Sequence, residues 1–225
     1  MTDSAAPDLS SGPVSERLAY LLTLVVNPLI LPPITTFVTL SAMGNPLSST
    51  ITAVIVVTVC FALIPFGVML LVVQSRKNVT IELRDRTSRT IPFTVSVIAN
   101  IAALLFFLRW ESALKPLMVC LMIVYLINNI GLLLINLRFK ISLHMASIAG
   151  TAAILFFMRY GAMPILTGKG TMLLSIAIAC ALFIPVLWWA RTRLKAHTEV
   201  ELAWGTAFGL VLPPLELLAL SPLFT

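Results

Sequence analysis

Long apolar runs separated by short polar loops dominate this chain of 225 residues. A helix of about 20 apolar residues is long enough to cross the hydrocarbon core of a bilayer. The apolar runs cover seven stretches, approximately 18–42, 50–74, 91–108, 116–137, 141–158, 171–190 and 202–220. The pattern predicts an all-α membrane protein, a polytopic bundle of six to seven transmembrane helices.

Composition agrees with this pattern, since 59% of the residues are hydrophobic and 11% are charged. That is too much apolar sequence for one soluble domain of this size. We expect 1–17 to be a polar N-terminal tail and 18–225 to be a single transmembrane domain. The tail lacks the basic start of a signal peptide, and the run at 18–42 is too long for one, so we count it as a span.

The first span carries helix-breaking residues in its middle. Asn27-Pro28 and Pro32-Pro33 lie within 18–42. A proline in a helix interior removes one backbone hydrogen bond and frees a carbonyl, which then needs a partner within the membrane. The sequence therefore predicts a kinked or broken first span.

Polar residues concentrate in three places, the loop at 75–90, the junction at 138–142 and the segment at 191–201. Two predicted crossings separate each place from the next, so all three face one side of the membrane. They contain Arg76, Lys77, Arg84, Asp85, Arg86 and Arg89, then Arg138, Lys140, Ser142 and, just beyond, His144, then Arg191, Arg193, Lys195, His197 and Glu201. Three distant clusters can therefore converge on one pocket, at one membrane face.

Charge gives a direction to this topology. All but four of the 15 Lys and Arg lie on the side of the three clusters, if Arg17 is included. The four on the other side are Arg109, Lys115, Arg159 and Lys169. Because cytoplasmic loops are enriched in Lys and Arg, the clusters are predicted to face the cytoplasm. The alternative is that some of these charges are there to bind phosphate and carry no topological information.

His197 and Glu201 are four residues apart, the spacing at which two side chains on a helix can contact each other. Residues four apart share a helix face, so the carboxylate can accept the imidazole N–H and fix its tautomer. The other ring nitrogen is then available as a nucleophile or base, and Arg191 offers donors for phosphate oxygens. Phosphoryl chemistry is one interpretation. The other is a basic juxtamembrane helix whose charges lie among lipid headgroups.

Metal chemistry is not expected from these clusters. They contain neither a pair of carboxylates nor a set of several histidines, which are the ligands that divalent metals use in hydrolases. We therefore predict no metal and no cofactor, and activity that survives chelation.

Three motifs resemble the signature of the type-2 phosphatidic acid phosphatase superfamily, the membrane relatives of vanadium haloperoxidases. That signature runs Lys-x6-Arg-Pro, Pro-Ser-Gly-His and Ser-Arg-x5-His-x3-Asp. In this chain the corresponding stretches read Asp85-Arg86-Thr-Ser-Arg89-Thr-Ile-Pro92, Ile141-Ser142-Leu143-His144 and Ala190-Arg191-x5-His197-x3-Glu201. The resemblance extends from about residue 20 to 210, and the chain is similar to a short bacterial branch of the superfamily.

The resemblance implies a metal-independent lipid phosphate phosphatase. His197 would attack phosphorus to form a phosphohistidine, Glu201 would orient it, and His144 would protonate the leaving group. The phosphate oxygens would be held by Arg191, Ser142, Arg86, Arg89 and Lys140. It also implies a location in the bacterial inner membrane, with the bilayer and a lipid phosphate as partners and no nucleic acid. The oligomeric state is not predicted.

Several departures from the signature keep a second function open. Leu143 replaces the glycine that lets backbone N–H groups approach phosphate, and Ala190 replaces a serine. The first motif lacks its lysine, because position 82 is Glu82. The alternative is therefore a weak or inactive relative that binds or transports lipid phosphates or serves a structural role. For the enzyme, phosphatidate, a phosphatidylglycerophosphate-like lipid and a polyprenyl diphosphate all remain possible substrates.

Overall fold

The computed structural model describes residues 13–75, 86–160 and 170–223, and at 86–89 and 223 it describes the backbone alone. Within these ranges the chain is helical and contains no strand. The helices are α1 (Val14–Val25), α2 (Leu31–Ala42), α3 (Leu47–Ser75), α4 (Arg86–Arg109), α5 (Lys115–Asn136), α6 (Leu143–Tyr160), α7 (Gly170–Arg193) and α8 (Glu199–Leu220). The predicted all-α fold is confirmed.

Six of these helices, α3 to α8, are long and apolar enough to cross a membrane. Their spans contain 18 to 29 residues, and their mean hydropathy runs from 1.2 to 2.8. Such helices satisfy their backbone hydrogen bonds internally, which is what a hydrocarbon environment requires. The chain is therefore a polytopic helical membrane protein.

The predicted span at 18–42 is two short helices, α1 and α2, and not one continuous helix. The break lies where Asn27 and Pro28 interrupt the apolar run, and the Asn27 side-chain oxygen accepts a hydrogen bond from the backbone N–H of Leu29 at 2.9 Å. An asparagine that bonds to the backbone two residues on stabilises a turn in place of a helix. The predicted break is thus confirmed.

The start of the first span differs from the sequence prediction. Helix α1 begins at Val14, so the last four residues of the predicted tail, 14–17, are helical. Pro13 precedes them in an extended conformation, with φ −54° and ψ 144°. Proline tolerates the beginning of a helix because the first N–H groups of a helix have no partner within it. Residues 1–12 of the predicted tail lie outside the described residues.

Contacts at the two ends of the bundle show that α1 and α2 cross it together. We call the end where α6 and α8 begin the site end, and the opposite end the far end. At the site end, Arg193 Nε donates to Ser15 Oγ at 3.2 Å. At the far end, Ser112 Oγ donates to Asn45 Oδ1 at 3.0 Å. The broken pair thus runs from one end of the bundle to the other, beside the six long helices.

Helix α6 is the centre of the bundle. Its mean hydropathy, 1.2, is the lowest of the six spans. Yet 61% of the helix is buried inside the protein, the highest share among the six. It packs most extensively against α7 and α8 and also contacts α2. Because protein and not lipid surrounds it, α6 can carry polar residues that a lipid-facing helix could not.

Glycines bring α6 and α8 unusually close together. A Cβ added at Gly205 would lie 2.5 Å from the Ser142 carbonyl oxygen, and one added at Gly209 would overlap the Ala146 carbonyl oxygen. Small residues at such a contact allow two membrane helices to pack backbone against backbone. This packing fixes the start of α6 beside the start of α8.

The main hydrophobic core fills the far half of the bundle. Its fully buried side chains include Leu40, Phe107, Met118 and Leu155, contributed by four different helices. The site half contains a cavity that is lined by residues from several helices. The fold therefore separates a packed half from a half with space for a ligand.

Candidate active site

The loop between α7 and α8 holds His197 in a tightly bonded turn. The Ala196 N–H donates to the Arg191 carbonyl oxygen at 3.1 Å, which closes the end of α7. Lys195 adopts a left-handed conformation with φ 49°. A left-handed residue after the last helical turn, with such a bond behind it, is a common way to end a helix, although glycine usually occupies the position.

Helix α8 starts with a capping box that also involves the candidate site. Thr198 Oγ1 accepts from the Glu201 N–H, and the Glu201 carboxylate accepts from the Thr198 N–H, both at 3.3 Å. The same carboxylate oxygen, Oε2, lies 2.6 Å from His197 Nδ1. One carboxylate therefore caps the helix and holds the imidazole ring.

This geometry sets the chemistry available to His197. A carboxylate only accepts hydrogen bonds when ionised, so the short contact assigns a proton to Nδ1, and in the neutral ring Nε2 carries the lone pair. The His197 residue is 8% exposed and lines a cavity. The ring is thus oriented, largely shielded from water and presented to an internal space.

That cavity brings together residues that lie far apart in the sequence. It has a volume of about 290 Å³, and His144, Arg191 and His197 all line it. His144 comes from the first turn of α6 and Arg191 from the last turn of α7. Arg191 is 3% exposed. A guanidinium in so little water favours an anion nearby, and phosphate is one that its donors match.

Lys140 and Ser142 lie behind this group of side chains and outside the cavity lining. Lys140 Nζ donates to the Ala196 carbonyl oxygen at 2.9 Å and lies 3.7 Å from Glu201 Oε2. Ser142 is fully buried, and its N–H donates to the Glu201 carbonyl oxygen at 3.2 Å. In this arrangement both residues brace the loop and the start of α8.

Arg86 and Arg89 belong to the first turn of α4, but their side chains lie outside the described part of the structure. Farther along the same helix, Pro92, Phe93 and Ser96 line the cavity. The start of α4 is therefore beside the candidate site, and the predicted phosphate contacts of the two arginines stay predictions.

Several polar residues that line the cavity were not singled out from the sequence. Ser147 and Thr151 lie three and seven residues after His144, so the three share one face of α6. Asn129 lines the cavity from α5. Its neighbour Asn128 donates a side-chain hydrogen bond to Glu216 of α8. The spacing from His144 was the signal that could have revealed the stripe.

The described residues contain no group of three or more His, Cys, Asp or Glu that could hold a metal ion. Glu201 is the carboxylate nearest to the imidazole of His197, and the capping and imidazole contacts already occupy it. The polar groups that line the cavity are imidazole, guanidinium, hydroxyl and amide groups, and the Glu201 carboxylate contacts the His197 ring.

Comparisons of the chain with models of known protein families, with curated proteins and with solved structures find no match. The assignment of function therefore depends on the geometry of the site and on the motifs of the sequence.

Proposed function

We propose that this protein is an integral membrane lipid phosphate phosphatase that forms a phosphohistidine intermediate. The observation that carries the proposal is the meeting of His144, Arg191 and His197 at one cavity, with the Glu201 carboxylate 2.6 Å from His197 Nδ1. A nucleophile, an acid and an anion-binding group at one cavity are the parts that phosphoryl transfer to a side chain requires.

In the first step, His197 Nε2 attacks phosphorus and the bond from phosphorus to the lipid oxygen breaks. Glu201 accepts the Nδ1–H throughout, which keeps the ring in place and stabilises the positive charge that develops on it. The His144 ring, protonated, gives its proton to the leaving oxygen, which as an alkoxide would be strongly basic. Arg191 binds the phosphate oxygens where negative charge collects.

In the second step, water attacks the phosphohistidine and phosphate leaves. His144, now neutral, accepts a proton from that water, which restores the starting state of both histidines. The membrane location supports a lipid substrate, because a helix bundle with a cavity inside the bilayer presents its site to molecules that reside there. The motif resemblance supports the proposal as well, since His144, Arg191 and His197 occur in the order and spacing of the signature.

The experiment is phosphate release by the purified protein from a panel of lipid phosphates and diphosphates in detergent micelles. We expect turnover that continues in EDTA, and a phosphoenzyme that can be trapped by rapid quenching at neutral or alkaline pH. His197→Ala should abolish both. Lys115→Met, a basic residue at the far end, is the matched control and should retain activity.

Two results would contradict the proposal. One is an active His197→Ala protein, because the proposed phosphohistidine cannot form without that ring. The other is turnover that EDTA abolishes and Mg²⁺ restores. A protein that binds lipid phosphates but releases no phosphate from any of them would favour the alternative of a binding or transport function.

A further inference from the structure

The cavity continues from the candidate active site into the interior of the membrane domain. Besides His197 and Arg191 at the site end, its lining includes Phe61, Ile154 and Pro213. Ile154 lies ten residues after His144 on α6, a distance of about 15 Å at the rise of an α-helix. A ligand whose phosphate is at His197 can therefore extend into the protein.

Three polar side chains line the cavity below the two histidines. They are Ser147 and Thr151 of α6 and Asn129 of α5, and we call them the interior polar belt. Thr151 is about 10 Å from His144 along its helix, and Asn129 is about 10 Å from the site end of α5. The two helices thus bring hydroxyl and amide groups to a similar depth.

None of the three makes a side-chain hydrogen bond with any other residue that the structure describes. Several other threonines in the helices bond instead to a backbone carbonyl one turn earlier, as Thr35, Thr58 and Thr206 do. Thr151 is only 4% exposed and lines the cavity. A polar group without a partner inside a membrane is costly, so whatever fills the cavity is expected to bond to it.

We infer that the interior polar belt is a second subsite, which hydrogen-bonds the oxygen atoms of a glycerol-based lipid phosphate. The inference rests on the proposed function. In such lipids, the carbons next to the phosphate carry hydroxyl or ester oxygens, whereas in an isoprenoid phosphate hydrocarbon follows the phosphate directly. Only the glycerol-based lipid can bond through its phosphate to the candidate active site and through its glycerol oxygens to the interior polar belt. The protein therefore prefers it.

The test compares two substrates, phosphatidate and farnesyl phosphate, in identical mixed micelles. Thr151→Val removes the hydroxyl and keeps the shape. We expect kcat/KM for phosphatidate to fall about three- to tenfold, the effect of one lost hydrogen bond, and kcat/KM for farnesyl phosphate to stay within about twofold. Ser147→Ala is also expected to lower the ratio of kcat/KM for phosphatidate to kcat/KM for farnesyl phosphate.

Thr206→Val is the matched control. Thr206 is on α8, outside the cavity lining, and its hydroxyl donates to the Leu202 carbonyl oxygen at 2.9 Å. The ratio of the two kcat/KM values should be unchanged in this variant. Equal losses on both substrates in Thr151→Val, or no change on either, would overturn the subsite.

A binding measurement separates failure of the subsite from failure of the phosphatase. If the wild-type protein hydrolyses neither lipid, the proposed enzyme is wrong, and the subsite is then tested by the rise in Tm that each lipid causes. We expect phosphatidate to raise Tm more than farnesyl phosphate in the wild type, and Thr151→Val to remove the difference. Equal rises in the wild type would overturn the subsite.

Discussion

At the residue scale, one carboxylate connects folding and chemistry. Glu201 accepts hydrogen bonds from the Thr198 N–H and from His197, and Lys140 lies 3.7 Å from the same oxygen. A capping box of this kind stabilises a helix start by satisfying N–H groups that have no partner within the helix. The groups that orient the histidine are therefore held by the fold itself.

Replacement of His144 tests its role as the acid. His144→Ala should lower turnover of an alkyl lipid phosphate by about 10²–10⁴, the usual contribution of general acid catalysis. On p-nitrophenyl phosphate the loss should be less than about tenfold, because that leaving group is a weak base and needs no proton. Equal losses on the two substrates would rule out the acid assignment. The comparison uses initial rates of the same purified variant.

Lys140 offers a test between bracing and direct phosphate binding. Its ammonium bonds to the Ala196 carbonyl oxygen, so Lys140→Met should loosen the loop that carries His197. We expect kcat to fall about three- to tenfold with KM nearly unchanged, and Lys140→Arg to recover part of the loss. Steady-state kinetics on one lipid phosphate measure both. A raised KM with unchanged kcat would instead support the phosphate contact predicted from the sequence.

At the scale of the elements, the contact between α6 and α8 determines the site. It holds the α6 residues His144 and Ser147 beside the start of α8, where Glu201 lies. Helix α1 adds a second close contact, since Ala19 packs against Ala190 and both are fully buried. In the phosphatase signature that the sequence resembles, serine stands at the position of Ala190, and here that position serves helix packing.

Gly209 is the position at which this packing is most easily disturbed. In Gly209→Ala the new Cβ would overlap the Ala146 carbonyl oxygen and lie 2.7 Å from the Gly150 nitrogen. We expect a destabilisation of about 1–3 kcal/mol, the usual cost of overpacking, and a lower Tm in detergent. Gly67→Ala is the control, because nothing lies within 4 Å of its Cβ, and alanine there should be neutral or slightly stabilising. Equal Tm changes in the two variants would contradict the close contact.

At the scale of the whole molecule, the N-terminus of α1 and the candidate site lie at the same end of the bundle. The broken pair α1 and α2 runs from that end to the far end, beside the six long helices. Both helices also contribute to the cavity wall, through Tyr20 and Pro32 among others. The break in the first span is thus next to the ligand space.

Cysteine labelling tests the topology. With Cys60, Cys120 and Cys180 replaced by alanine, a single cysteine is introduced at Val14 at the site end or at Glu111 at the far end, both exposed. A membrane-impermeant maleimide should label Glu111→Cys in intact cells and Val14→Cys only after the membrane is opened, if the site end is cytoplasmic. The cysteine-free protein is the control. Labelling of both positions in intact cells would contradict an odd number of membrane crossings between Val14 and Glu111.

The sequence by itself determined the helical membrane fold, the break in the first span and the pairing of His197 with Glu201. The first two depend on local chemistry, namely apolar length and the proline and asparagine in the backbone. The pairing was predicted from a shared helix face, and that reason was wrong: His197 lies in the loop before α8, and the capping box at Thr198 brings the Glu201 carboxylate to its ring. Helix α1 begins at Val14, four residues before the predicted apolar run, in a polar stretch that gives no apolar signal.

Only the tertiary structure decided which polar residues share the cavity. Lys140 and Ser142 belong to the same sequence cluster as His144, yet they brace the loop from behind while His144 lines the cavity. Asn129 and Thr151 line it although neither belongs to a motif. Such roles depend on which face of each helix meets its neighbours, and that is set by contacts such as Gly209 against Ala146, between residues far apart in the chain.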